Sequence, residues 1–176
     1  MSQIFCKEQL PVIIEYHPYH ESLNNKILKE TENVAYGRNL PSIDGKVSSV
    51  RASKTKEFRI SSPSIEVVYE WILNTIRSRS STQFFASSIS DAWLASYSMK
   101  ELTVSHSHPS YFSFVYFVRC PKGSSPLIFT TSGKRIKAEE GKLLIFPGHL
   151  KHHVPENKCE GRLTLAGNVI VRWYEE

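Results

Sequence analysis

The chain reads as a mostly β protein with bracing helices. This is an α+β architecture whose β part is a double-stranded β-helix, the jelly roll of cupin-like proteins. Two observations predict it. From about residue 83, short runs rich in β-branched and aromatic residues alternate with turn signals, enough for seven or eight strands. Ahead of them lies a strongly periodic helix with one apolar face, suited to packing on a sheet.

The elements follow in order. Pro11-Val12-Ile13-Ile14-Glu15-Tyr16 is a short β-branched run and predicts a strand. Leu23, Ile27 and Leu28, set among Asn, Lys and Glu, predict a short amphipathic helix. Residues 35 to 62 are rich in Gly, Ser, Pro and charge without periodicity, so they read as a long loop, the kind that serves as lid or substrate contact. The main helix then starts with Ser62 as its cap and Pro63 at its first position. Ile65, Val68, Tyr69, Ile72 and Ile76 recur at helical spacing, and Arg77 and Arg79 suit its negative pole. Candidate strands are 92–98, 102–105, 112–119, 126–130, 135–138, 142–146, 152–154 and 163–173. Turns at Pro121-Lys122-Gly123, Ser132-Gly133, Glu140-Gly141 and Pro147-Gly148 separate several of them.

At 176 residues the chain suits one domain, 1–176, with helical and strand support in 1–82 and the jelly-roll core in 83–176. A composition 40% hydrophobic and 22% charged excludes a disordered tail, a fibrous repeat and a membrane protein. The first residues lack the basic-then-apolar pattern of an export signal, and three cysteines (Cys6, Cys120, Cys159) form no CxxC pair. A reducing, cytoplasmic location is the expectation. The net charge of +5 is spread evenly, apart from a cluster of Lys46, Arg51, Lys54, Lys56 and Arg59 against Glu57. That cluster reads either as a solvated loop or as an attraction to nucleic acid or another polyanion.

Five of seven histidines lie between residues 106 and 153, as His106 and His108, then His149, His152 and His153. His-x-His on a strand places both imidazoles on one face. A third histidine from a distant strand would complete a facial set around one metal ion, with positions left for oxygen and a second ligand. The same pair also has a plain structural or surface reading. His149 and His153 read as surface or neighbouring groups, because one histidine of that cluster suffices. No GxSxG, P-loop, GxGxxG or HExxH occurs, so hydrolase, nucleotide-phosphate and zincin chemistry have no anchor.

The segment Gly141-Lys142-Leu143-Leu144-Ile145-Phe146-Pro147-Gly148-His149-Leu150-Lys151-His152-His153-Val154-Pro155 is followed by Gly161-Arg162-Leu163-Thr164-Leu165 and Asn168. Upstream stand Trp93, His106-Ser107-His108-Pro109 and Ser113-Phe114-Val115-Tyr116-Phe117. Over about residues 62 to 172 this resembles the 2-oxoglutarate- and Fe(II)-dependent oxygenases, in particular a small bacterial and phage branch. The resemblance implies His106 and His152 as iron ligands. It implies Arg162 as the grip on the distal carboxylate of 2-oxoglutarate, assisted by Thr164. A guanidinium fork pairs a carboxylate bidentately, and a hydroxyl two residues along a strand shares its face.

His108 stands where the wider superfamily carries a carboxylate, and two readings compete. Either it binds iron in an all-imidazole site, which the resembling branch favours, or it points elsewhere and the metal is held weakly. Tyr97 and Tyr116 are candidate hydrogen-bond donors to 2-oxoglutarate or to metal-bound oxygen, or else ordinary core aromatics. Ala95, Phe114 and His149 depart from the family's pattern where it shapes the substrate pocket, so the substrate (protein, nucleic acid or small molecule) is not implied. The activity implied is a dioxygenase using Fe(II), 2-oxoglutarate and O2 to hydroxylate or demethylate, releasing succinate. Two alternatives are a non-catalytic cupin-like binding module and a three-histidine dioxygenase independent of 2-oxoglutarate.

Overall fold

A computed structural model describes residues 10–38, 48–79 and 86–173. Two helices and twelve strands form two antiparallel sheets over this span. The larger sheet runs, edge to edge, β1 (Ile13–Tyr16), β10 (Lys142–Pro147), β7 (Phe112–Arg119), β12 (Arg162–Arg172), β5 (Ala86–Tyr97), β4 (Ser53–Thr55) and β2 (Tyr36–Gly37). The smaller runs β3 (Val50–Arg51), β6 (Leu102–His106), β11 (His152–Val154), β8 (Leu127–Phe129) and β9 (Arg135–Ile136). Consecutive strands from β5 onward often change sheet, which is the winding of a jelly roll.

The larger sheet is buried on both faces, and strand parity decides which residue goes where. Phe114, Tyr116 and Val118 of β7, Leu143 and Ile145 of β10, Leu163 and Leu165 of β12, and Leu94 of β5 face the helices. Their intervening neighbours Val115, Phe117, Leu144 and Phe146, with Trp93, Ala95 and Tyr97, face the smaller sheet. Each fully buried Phe or Leu contributes about 1.5–3 kcal/mol, so this double-sided packing is what holds the barrel rigid around its interior.

The helices brace the outer face as expected. In α1 (His20–Glu30), Leu23, Asn24 and Ile27 form the buried stripe. In α2 (Pro63–Arg79), Ile65, Val68, Tyr69, Ile72 and Ile76 are almost completely buried. Ser62 does cap α2, accepting from the Ile65 N–H at 3.3 Å, and Glu30 accepts from the Ser64 N–H at 2.9 Å. The cap thus ties the two helices together. Glu140-Gly141 turns into β10 with Gly141 at φ +78°, where a side chain would also strike His20.

Two expectations need correction. The 35–62 stretch is not a featureless loop: it supplies the short edge strands β2, β3 and β4 within its described residues. The strand predicted at 92–98 begins six residues earlier, at Ala86, because its first half pairs along the whole C-terminal part of β12. Lys46 of the basic cluster lies outside the described residues. No helix among the described residues is long and apolar enough to cross a membrane.

Candidate metal centre

The smaller sheet delivers two of the three histidines. His152 opens β11 and His106 ends β6, and the two are direct Cα partners in the antiparallel ladder. Opposed residues share a face, so both rings enter the space between the sheets. His108 lies two residues beyond β6, where its N–H donates to the Gly148 carbonyl at 2.8 Å. That bond ties the His-x-His turn to the loop ahead of His152. Ring centroids are 4.3 Å apart for His106 and His152, 4.8 Å for His106 and His108, and 5.4 Å for His108 and His152. One nitrogen from each ring lies within 4.8 Å of the others.

The ring orientations are set from outside the cluster. His106 Nδ1–H donates to the Val104 carbonyl and His152 Nδ1–H to the Leu150 carbonyl, each at 2.8 Å. A carbonyl only accepts, so Nδ1 carries the proton and Nε2 keeps its lone pair for a metal. Phe146 packs edge-on against His152 at 4.9 Å. Burial, with the neighbouring rings adding to it, pushes His108 down to about 3 and His152 down to about 4, and burial lowers His106 too. Three neutral imidazoles at neutral pH are the form in which histidine ligates. The donor set fits a divalent transition metal, with no carboxylate to balance its charge.

Arg162 occupies the same cavity. It is about 1% exposed, and its Cζ lies 4.4 Å from the centroid of Tyr97 and 5.6 Å from that of Phe117. Nε donates to the Ser125 carbonyl at 3.2 Å, while Nη1 is buried with no partner. No acid is among the residues lining the cavity. A buried guanidinium nitrogen with no acceptor is costly, and a ligand carboxylate is the group that would satisfy it. Thr164, two residues along β12, lines the cavity beside it. Tyr97 also lines it, its hydroxyl bonded to Thr103 Oγ1 at 2.7 Å.

Tyr116 requires correction. Its ring faces the helices, and its hydroxyl donates to Asn24 Oδ1 at 2.7 Å, with the sheet between it and the histidines. His149 is exposed, and His153 turns out to Thr130 Oγ1 at 3.0 Å; neither joins the cluster. Sequence reasoning missed a buried polar chain behind His108. Ser110 and Ser113 donate to Asn168 Oδ1, whose Nδ2 donates to Asp91 Oδ2 at 2.8 Å. It pins the 107–111 turn to β12 and β5. Ser113 and Asn168 carried a signal, through their places in the motif.

No family model matches this chain, and no curated protein does. Solved structures do. It is similar to a viral collagen prolyl hydroxylase from Paramecium Bursaria Chlorella virus-1 in complex with 2-oxoglutarate (TM-score 0.69, 11% identity, covering 90% of this chain and 94% of that one). The fold is that of the 2-oxoglutarate- and Fe(II)-dependent oxygenases. An oxidoreductase of that family from Burkholderia pseudomallei matches at TM-score 0.66 and 11% identity, over 90% of this chain and 84% of that one. A Trichoplax adhaerens prolyl hydroxylase in complex with a hypoxia inducible factor peptide fragment matches at 0.66 and 11%, over 89% and 83%. At such identity the likeness establishes the fold, and the site must be argued from its own atoms.

Proposed function

We propose that this chain is a 2-oxoglutarate- and Fe(II)-dependent dioxygenase that hydroxylates, or demethylates by hydroxylation, a substrate held at the mouth of the barrel. One observation carries the reading: a tripod of three metal-competent imidazoles and a buried, acid-free guanidinium share one cavity. His106, His108 and His152 hold the ion through their unprotonated nitrogens. Arg162 receives the distal carboxylate of the keto acid on its unpaired Nη1, with Thr164 alongside and Tyr97 stacked beneath the guanidinium. When bound, Fe(II) with 2-oxoglutarate and O2 supplies oxidative decarboxylation to succinate coupled to oxygenation of a substrate C–H bond.

The protein's own contribution is orientation and shielding. Val115, Leu127, Phe146 and Ala166 line the cavity with apolar surface, which excludes water and strengthens the pairing of Arg162 with a dianion. The ligand set lacks the usual carboxylate, so the site carries one less negative charge, and the dianionic cosubstrate offsets this. The all-imidazole set is also what favours the second reading, a three-histidine dioxygenase without a keto acid. The unpartnered Nη1 of Arg162 favours the first.

Anaerobic titration of the Fe(II)-loaded protein with 2-oxoglutarate tests the proposal. A visible charge-transfer band and succinate formation on admitting oxygen are expected. Oxygen uptake indifferent to the keto acid would support the second reading, and a folded protein that takes up neither metal nor keto acid would leave a binding module.

A further inference from the structure

A second cation stands beside this cavity, over one of its lining rings and away from Arg162. Lys54 sits on β4 directly opposite Ala95 of β5, and Ala95 belongs to the inner face. Opposed residues share a face, so Lys54 projects on the cavity side of the sheet. Its Nζ lies 4.1 Å from the centroid of the Trp93 ring. Trp93 lines the cavity, and its ring lies 6.2 Å from that of His108. Arg162 stacks on Tyr97, four residues further along β5, roughly 13 Å away along an extended strand. The two cations therefore stand by different ends of the inner face of β5.

Lys54 differs from the other cations of this region. Arg59 is paired with Glu66 at 2.9 Å, and Arg51 and Lys56 are exposed to solvent. Lys54 is half-buried, and among the described residues its ammonium makes no hydrogen bond or ion pair, only the contact with Trp93. Asp91 is the carboxylate that acts on it, but the Asp91 oxygens already accept from Ser90 Oγ and Asn168 Nδ2. Burial lowers the lysine's pKa, the mark of a charge kept from water without full compensation. An anion arriving at the ammonium on its side away from the indole would supply what is missing.

We propose that Lys54 is the anion receptor of the substrate subsite. The substrate carries a carboxylate or phosphate group, which Lys54 binds on the side of its ammonium away from the Trp93 ring, while the rest of the molecule extends toward the three imidazoles. The word substrate rests on the oxygenase reading; the anion site itself does not. Lys54 is then a specificity-determining residue, distinct from the cosubstrate grip at Arg162.

The full chain, loaded with Zn(II) and 2-oxoglutarate, is titrated separately with acetate, inorganic phosphate and neutral acetamide. The 13Cε resonance of Lys54 is followed, and affinities are compared with K54M and K54R. Acetate or phosphate should shift the resonance saturably and acetamide should not, and the tighter anion identifies the group. K54M should weaken anion binding about tenfold or more, the scale of one charge-assisted hydrogen bond, and K54R should restore it in part. Affinity for 2-oxoglutarate should stay the same. Absence of a saturable shift, or equal anion affinity in K54M, overturns the proposal. So does loss of 2-oxoglutarate binding in K54M, which would make Lys54 a cosubstrate contact. If zinc and keto acid fail to bind while anion binding still depends on Lys54, the oxygenase reading falls and the anion receptor stands.

Discussion

His106 and His152 are partners in one antiparallel ladder, their rings 4.3 Å apart and each oriented by the carbonyl two residues earlier in the chain. The backbone itself thus sets two of the three metal-facing nitrogens. Replacing either histidine by Ala should reduce affinity for Fe(II) or Zn(II) by about a hundredfold or more, beyond what losing a supporting contact costs. Isothermal titration with each metal measures it, with unchanged far-UV circular dichroism as the control.

The pH dependence has a definite sign. In the unfolded chain these histidines titrate near their ordinary 6.5, whereas in the fold His152 is pushed down to about 4 and His108 to about 3. Between about pH 6.5 and 4 the unfolded state binds more protons, so stability of the metal-free protein falls as pH falls through that window. Above 6.5 the cluster contributes no slope. The melting temperature of the metal-free protein should drop on acidification, and less steeply in His152→Ala.

Arg162→Met should separate stability from function. The guanidinium is buried without a carboxylate, and an apolar side chain of similar length keeps the packing between Tyr97 and Phe117. Stability should hold within about 1 kcal/mol or rise, as when buried charges are replaced by apolar isosteres. Affinity for 2-oxoglutarate should fall on the order of a hundredfold, with metal affinity intact. Denaturant unfolding and the two titrations report these independently.

Gly148 links the two halves of the site, accepting from the His108 N–H at 2.8 Å and donating to the Tyr111 carbonyl at 3.1 Å. A Cβ there would run into the Ser110 carbonyl and hydroxyl. Gly148→Ala should displace the turn that carries His108, weakening metal binding about tenfold and costing about 1–3 kcal/mol in stability. Metal titration and urea unfolding measure the two effects.

Tyr116→Phe should act in the opposite way. It strands Asn24, whose Nδ2 is already without a partner, and should cost about 1–3 kcal/mol. Metal and 2-oxoglutarate affinities should not change, because the hydroxyl lies on the helix side of the sheet. The same titrations would show a loss if Tyr116 faced the cavity.

Legibility in the sequence followed locality. Strands 112–119 and 152–154 were readable to the residue, and the Ser62–Pro63 helix start was written in its own chemistry. The edge strands β2, β3 and β4 were not, because two or three residues carry no period and exist only through distant partners. Tyr116 was misdirected for a related reason. Phe112–Arg119 is buried on both faces along nearly its whole length, so no polar alternation marks which side chains turn inward. Lys54 read as one charge of a cluster, either solvated or drawn to a polyanion, since its place over Trp93 depends on a β4–β5 pairing between residues some forty positions apart.

The sequence by itself determined the strand-rich half, the bracing helix, and which imidazoles and which arginine are candidates, because these depend on spacing within a few residues. Tertiary structure alone decided that His106 meets His152 across a ladder, that Arg162 is buried without a carboxylate, that Tyr116 faces away, and that Lys54 stands beside the cavity. Each of these is a matter of register and sheet facing, and register is settled by burial summed over the whole fold, which no local stretch of chain encodes.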